Sequence, residues 1–133
     1  MKIITKNFCV AALLAGLLTS SFTALAHHSL AAVYDIRKEG ELTGVLTKVA
    51  FTNPHGAFHV TVQNEDGSET EWILTTGSAN TLANLGFGDG GSNDVKTGDT
   101  VSAVYFPARN GKTIGFVRTI RLPGNREVEF TPE

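Results

Sequence analysis

The sequence predicts a mainly β domain, a small OB-like barrel of five strands with one short helix between strands three and four. Three observations carry this expectation: five strand-like segments after residue 40, glycine-bearing turns between successive segments, and a single capped helical stretch after the third of them. That order, with the helix linking the third and fourth strands, is the order of an OB fold.

Glu41 to Thr52 is rich in Val, Thr and Leu on both parities and reads as a long first strand useful on both faces, with Gly44 inside it as the expected place for a bulge or bend. Asn53-Pro54-His55-Gly56 breaks the pattern. Ala57 to Gln63 then alternates strictly, with Phe58, Val60 and Val62 against His59, Thr61 and Gln63, the mark of a strand with one buried face. Asn64-Glu65-Asp66-Gly67 is a turn, and Glu69 to Thr75 is the returning strand of a hairpin. Ser78 caps a helix through Thr81, Leu82 and Leu85, which Gly86 ends. A Gly/Asp-rich loop from Phe87 to Asp94, expected to be flexible, leads to strands over Val101 to Phe106 and Thr113 to Leu122, joined at Ala108-Arg109-Asn110-Gly111. A small extra strand is expected near Val128 to Phe130. Arg118 interrupts the apolar parity of Ile114, Phe116, Ile120 and Leu122, and a bulge is favoured there over an anion contact.

Ahead of this domain, Lys2 and Lys6 precede an apolar run from Phe8 to Leu18, a polar stretch, and Ala24-Leu25-Ala26. This is the order of a secretory signal peptide, and its apolar run is well short of the roughly 20 residues that cross a bilayer. Cleavage after Ala26 is expected, leaving one domain over residues 27–133 in a periplasm or outside the cell, with no membrane span. The only cysteine, Cys9, leaves with the signal, so the exported chain holds no thiol. The whole chain has a formal net charge of −2, and losing the two signal lysines makes it more negative. Such a charge balance argues against nucleic acid as partner, since phosphate binding needs a basic surface.

All four histidines lie beyond Ala26, in two pairs: His27-His28 at the new N-terminus, and His55 and His59 around the first turn. An N-terminal histidine offers its α-amine and its ring, two nitrogen donors that chelate an ion once deprotonated. Imidazole donors suit copper, zinc or nickel without separating the three. In unbroken extended chain, His55 and His59 would lie roughly 13 Å apart, so only a bend at Gly56 lets them share an ion. A plainer account stands beside this one: a solvated N-terminal arm, a turn histidine and a strand histidine with no ligand.

Other motifs are weaker. Gly86-Phe87-Gly88-Asp89-Gly90-Gly91 matches G-x-G-x-x-G but follows a helix and carries acid where phosphate needs donors. Asp89 and Asp94 lack the ligand order of a calcium loop. No serine has a nucleophile elbow and no carboxylate pair is spaced for acid–base work, so nothing nominates an enzyme. Trp72, Tyr105 and Phe106 are candidates for a stacking face, with a core role favoured.

Ala26-His27-His28-Ser29, Tyr34-Asp35, Gly44, Asn53-Pro54-His55, Asp66-Gly67, Trp72, Leu85-Gly86, Gly98-Asp99 and Arg109-Asn110-Gly111 together resemble a bacterial family of small exported proteins whose function is not established. The similarity runs from about Ala26 to Leu122. It implies an exported small β-barrel, carries over His27, His28 and His55, and implies no activity. Phe51 stands where the family pattern has Trp, and the loop from Gly88 to Asn93 is longer than usual. The sequence thus leaves two functions: a copper or zinc module with His27, His28, His55 and His59 as candidate ligands, or a binding barrel for an organic ligand or an envelope protein partner.

Overall fold

A computed structural model describes residues 30–131. After a single-turn helix α1 (Leu30–Val33) come β1 (Gly40–Ala50), β2 (Ala57–Gln63), β3 (Glu69–Thr75), helix α2 (Ala79–Asn84), β4 (Thr100–Pro107), β5 (Ile114–Leu122) and β6 (Arg126–Glu129). The sheet runs β3-β2-β1-β4-β5-β6, and β3 also pairs with β5 in parallel, which closes five strands into a barrel. The expected OB-like barrel is therefore the observed fold, and β6 is an appendage on β5.

Alternation explains the core. Phe58 and Val60 of β2, Leu74 of β3, Val101 of β4 and Ile120 of β5 point inward and are almost or entirely shielded from solvent. Leu82 of α2 closes one end of the barrel and is fully buried. Ser78 caps that helix by accepting from the Thr81 amide at 3.2 Å, and Gly86 follows the C-cap at φ 81°. Trp72 and Tyr105 meet with ring centroids 4.9 Å apart, Tyr105 buried and Trp72 half-buried against the core, so they pack and present no stacking face.

Two bulges adjust the barrel. Leu46 pairs with Val60 but Lys48 pairs with His59, so Thr47 is the extra residue of β1. The bulge is thus not at Gly44, which stays in register with Val101. It reverses the strand's parity, taking the core side from Leu42 and Leu46 to Val49. Thr43, Val45 and Thr47 face outward, and Val45 remains 44% exposed, so β1 buries one face rather than two. Gly44 answers to a different constraint: a Cβ there would collide with the Thr61 carbonyl and lie 2.8 Å from Val60 Cγ1. In β5, Val104 pairs with Thr119 and Tyr105 with Val117, leaving Arg118 unpaired in the ladder. The expected bulge is found there, and the Arg118 guanidinium turns out to Glu39.

The Gly/Asp loop is tied down more firmly than its composition suggests. Phe87 is buried, 5.1 Å from Phe58 and 6.0 Å from Phe130 between ring centroids. Asn93 donates to the Leu85 carbonyl at 2.8 Å, and Arg126 donates to the carbonyls of Ser92 and Asp94. These contacts fasten the loop to α2 and to the final turn.

Helix α1 lies outside the barrel, against the β4–β5 loop. The Arg109 amide donates to the Val33 carbonyl at 3.0 Å, its Nε to the Ala31 carbonyl at 2.8 Å, and Tyr34 bridges to Ala108. Asp35, its side chain only 14% exposed, sits among Arg37, Lys38 and Arg109 at 3.5–4.0 Å. Desolvation pushes its carboxyl upward, but the Arg37 amide and the charges of Arg109, Lys38 and Arg37 outweigh that and hold it below the ordinary 3.8.

Two outcomes follow from this geometry. Gly44→Ala is expected to destabilise the protein by about 1–3 kcal/mol through overpacking against β2, read from urea unfolding midpoints. Because the folded-state pKa of Asp35 is depressed, its contribution is present above the unfolded value near 3.8 and is lost as pH falls through the lower folded value. The stability gap between wild type and Asp35→Asn, measured by thermal unfolding from pH 7 to pH 2, should therefore narrow below about pH 4.

Candidate functional site

The β1–β2 loop that carries His55 is fixed from several sides. The Gly56 amide donates to the Gly77 carbonyl at 2.7 Å, and the Thr76 amide returns a bond to the Gly56 carbonyl at 2.9 Å. The Thr52 hydroxyl donates to the His55 carbonyl, and the Ala79 amide at the start of α2 is shared between the Thr52 carbonyl and Asn53 Oδ1. The Asn53–Pro54 peptide bond is cis. Gly56 itself is packed so closely that a Cβ would meet Thr76 Oγ1 and the Ala50 carbonyl at 2.9 and 3.0 Å. The His55 backbone is consequently held, while its side chain is exposed.

His55 stands on the rim of a hollow of about 320 Å³ on the outer face of the barrel. Leu30 and Val33 of α1, with Tyr34 just after it, form one wall, Thr75 and Gly77 follow from β3 onward, and Phe116 of β5 completes it. The floor exists because β3 and β5 pair in parallel with Thr75 opposite Phe116. Tyr34 packs against Phe116 with ring centroids 6.0 Å apart, and its hydroxyl lies 2.7 Å from Thr75 Oγ1. The Thr75 hydroxyl in turn donates to the Gly115 carbonyl at 3.2 Å. In OB folds the loop between strands 1 and 2 and the loop between strands 4 and 5 flank the ligand face. Here α1 lies by both loops, bonded to Arg109 of the second and lining the same hollow as His55 of the first.

The histidines do not all gather there. His59 points outward from the middle of β2, with its Nδ1 3.1 Å from Glu71 Oε1, and it does not line the hollow. His27 and His28 lie outside the described residues, as does the signal segment up to Ala26. Among the described residues no group of three or more His, Cys, Asp and Glu side chains could hold a metal ion. Asp89 and Asp94 lie on the tied-down loop, apart from the hollow. No helix among the described residues is long and apolar enough to cross a membrane.

Sequence reasoning missed α1, Tyr34, Thr75 and Phe116 as parts of one place. The only local signal was Leu30-Ala31-Ala32-Val33, a short apolar stretch before Tyr34-Asp35. Four residues are too few for a periodic pattern, and nothing in the chain order says that β3 and β5 meet beneath them.

Among curated proteins and solved structures nothing matches this chain. The model of a family of unknown function, DUF6152, matches residues 14–118, most of the sequence, and the chain belongs to that family.

Proposed function

We propose that this protein is an exported metal-binding module that holds one copper or zinc ion at the rim of the hollow, through the His27 α-amine and ring, the His55 ring and the His28 ring. One observation carries the reading: Leu30 and His55 line the same hollow. His27 is three residues and His28 two residues before Leu30, so their backbones are within about 10 Å and 7 Å of it at full extension. Arg109 pins α1, which supports a reading in which the histidine pair just before Leu30 and the His55 ring share one ion.

The chemistry of the donors agrees. A primary amine and neutral imidazoles are the nitrogen ligands that borderline first-row ions prefer, with copper the tightest among them. Affinity should fall steeply with acidity, because each donor must lose a proton before it binds. The reading also requires export and cleavage after Ala26, since only a new N-terminus at His27 supplies the amine. His59 is already engaged with Glu71, so it is left out of the proposed shell.

Two measurements check this. Calorimetric titration of copper(II) into protein with an authentic His27 terminus should show one tight equivalent. His27→Ala and His55→Ala should each weaken it by about tenfold or more, as loss of a direct ligand costs at least what loss of its supporting shell does, while His59→Ala changes little. Equal binding by wild type and the His27→Ala, His55→Ala double variant would refute the proposal. Replacing Arg109 with Ala should speed amide exchange at Tyr34, whose N–H closes α1 onto the Leu30 carbonyl, and should weaken copper binding by loosening the tether.

A further inference from the structure

The hollow beneath His55 has a chemistry of its own, independent of any metal. At about 320 Å³ it is at the small end of ligand pockets, which run from roughly 300 to 1,000 Å³. Its walls are mainly apolar, from Leu30, Val33 and Phe116, and among the described residues no Asp, Glu, Lys or Arg lines it. Apart from the exposed His55 ring at the rim, a charged guest would find no ionic partner there and would lose its hydration, so the hollow favours a neutral one.

Its polar part has a direction. Thr75 has one hydroxyl proton, and that proton is given to the Gly115 carbonyl. With that bond made, the 2.7 Å contact between Thr75 and Tyr34 uses the Tyr34 proton, and Thr75 Oγ1 accepts. Tyr34 lines the hollow, and in this arrangement its oxygen keeps its lone pairs with its proton already given to Thr75. A guest next to it gains a hydrogen bond only by donating one. The relay ends on a backbone carbonyl, which can only accept, and this favours the orientation in which Tyr34 donates to Thr75.

We infer that this hollow is a binding site for a small neutral apolar molecule bearing one hydrogen-bond donor, of the phenol or alcohol class, seated with its donor on Tyr34 Oη and its hydrocarbon part against Phe116, Leu30 and Val33. The site has the scale of a single ring or a short branched chain, and it is walled by α1 on one side and the His55 loop on the other. A guest there would lie beside His55, yet its binding does not depend on the proposed metal.

The test uses the metal-free protein in chelator, so that a failure of the metal reading leaves it intact. 4-Methylphenol and toluene differ by a single hydroxyl and serve as probes, followed by amide chemical-shift titration. 4-Methylphenol should saturate with shifts centred on Tyr34, Thr75 and Phe116, and bind about tenfold tighter than toluene, the worth of one net hydrogen bond. In Tyr34→Phe, which keeps the ring and removes the acceptor, the preference should collapse to about twofold or less with toluene unchanged. Equal affinity of the two probes for wild type, absence of saturation by either, or shifts centred away from the hollow would overturn the inference. The wild-type comparison stands whatever the folding of the variant.

Discussion

The barrel closes through three residue pairs, Ile73 with Ile114, Leu74 with Gly115 and Thr75 with Phe116, and the rest of the molecule depends on that short parallel ladder. Every other pairing in the sheet is antiparallel. Joining the ends of the sheet removes two exposed edges and brings Leu74 and Val117 into a sealed core, where both are wholly shielded from solvent. On the outer side it sets Thr75 beside Phe116 and so lays the floor on which Tyr34 rests. The site and the core are two faces of one closure.

Closing five strands this tightly has steric consequences that the sequence meets with glycines and bulges. Gly44 allows β2 to pass close over β1, and Gly115 leaves room for the Tyr105 ring, which lies where a Cβ would stand. Thr47 and Arg118 are the extra residues that let β1 and β5 bend while keeping apolar side chains inward on either side of the kink. Burial at this packed end also pushes the Tyr105 phenol above its ordinary value of 10.0. The same bend in β5 turns Phe116 outward and Val117 inward, so both neighbours are buried, one under α1 and the other in the core.

The candidate site is assembled by attachment rather than by sequence proximity. His55 comes from the β1–β2 loop, α1 from before the barrel, and Arg109, from the β4–β5 loop, ties α1 by two hydrogen bonds across a separation of more than seventy residues. The metal proposal and the small-molecule inference use adjoining parts of this arrangement. The first needs nitrogen donors beyond Leu30 at the rim, and the second needs only the Tyr34–Thr75–Gly115 relay below it. A guest in the hollow would sit next to a rim ion, which gives the two readings a physical connection without making either the basis of the other.

By itself the sequence determined the strand order, the capped helix, the turn at Asp66-Gly67 and the bulge at Arg118, because each is written in a local period, a cap or a turn residue. It placed the β1 bulge at Gly44, since a glycine in a strand signals either a bend or a close neighbour, and only the partner strand says which. It read Phe87 as loop because a lone aromatic among glycines has no period, and its burial against Phe58 and Phe130 comes from segments far apart in the chain. It let His55 and His59 share an ion only through a bend at Gly56, and in the structure His59 meets Glu71 while His55 lines the hollow. Tertiary structure alone decided that α1 lies beside His55 and that Thr75, Phe116 and Tyr34 meet. The physical reason is that barrel closure is a contact between strands with no sequence neighbourhood, and a hollow is made of what such contacts leave unfilled.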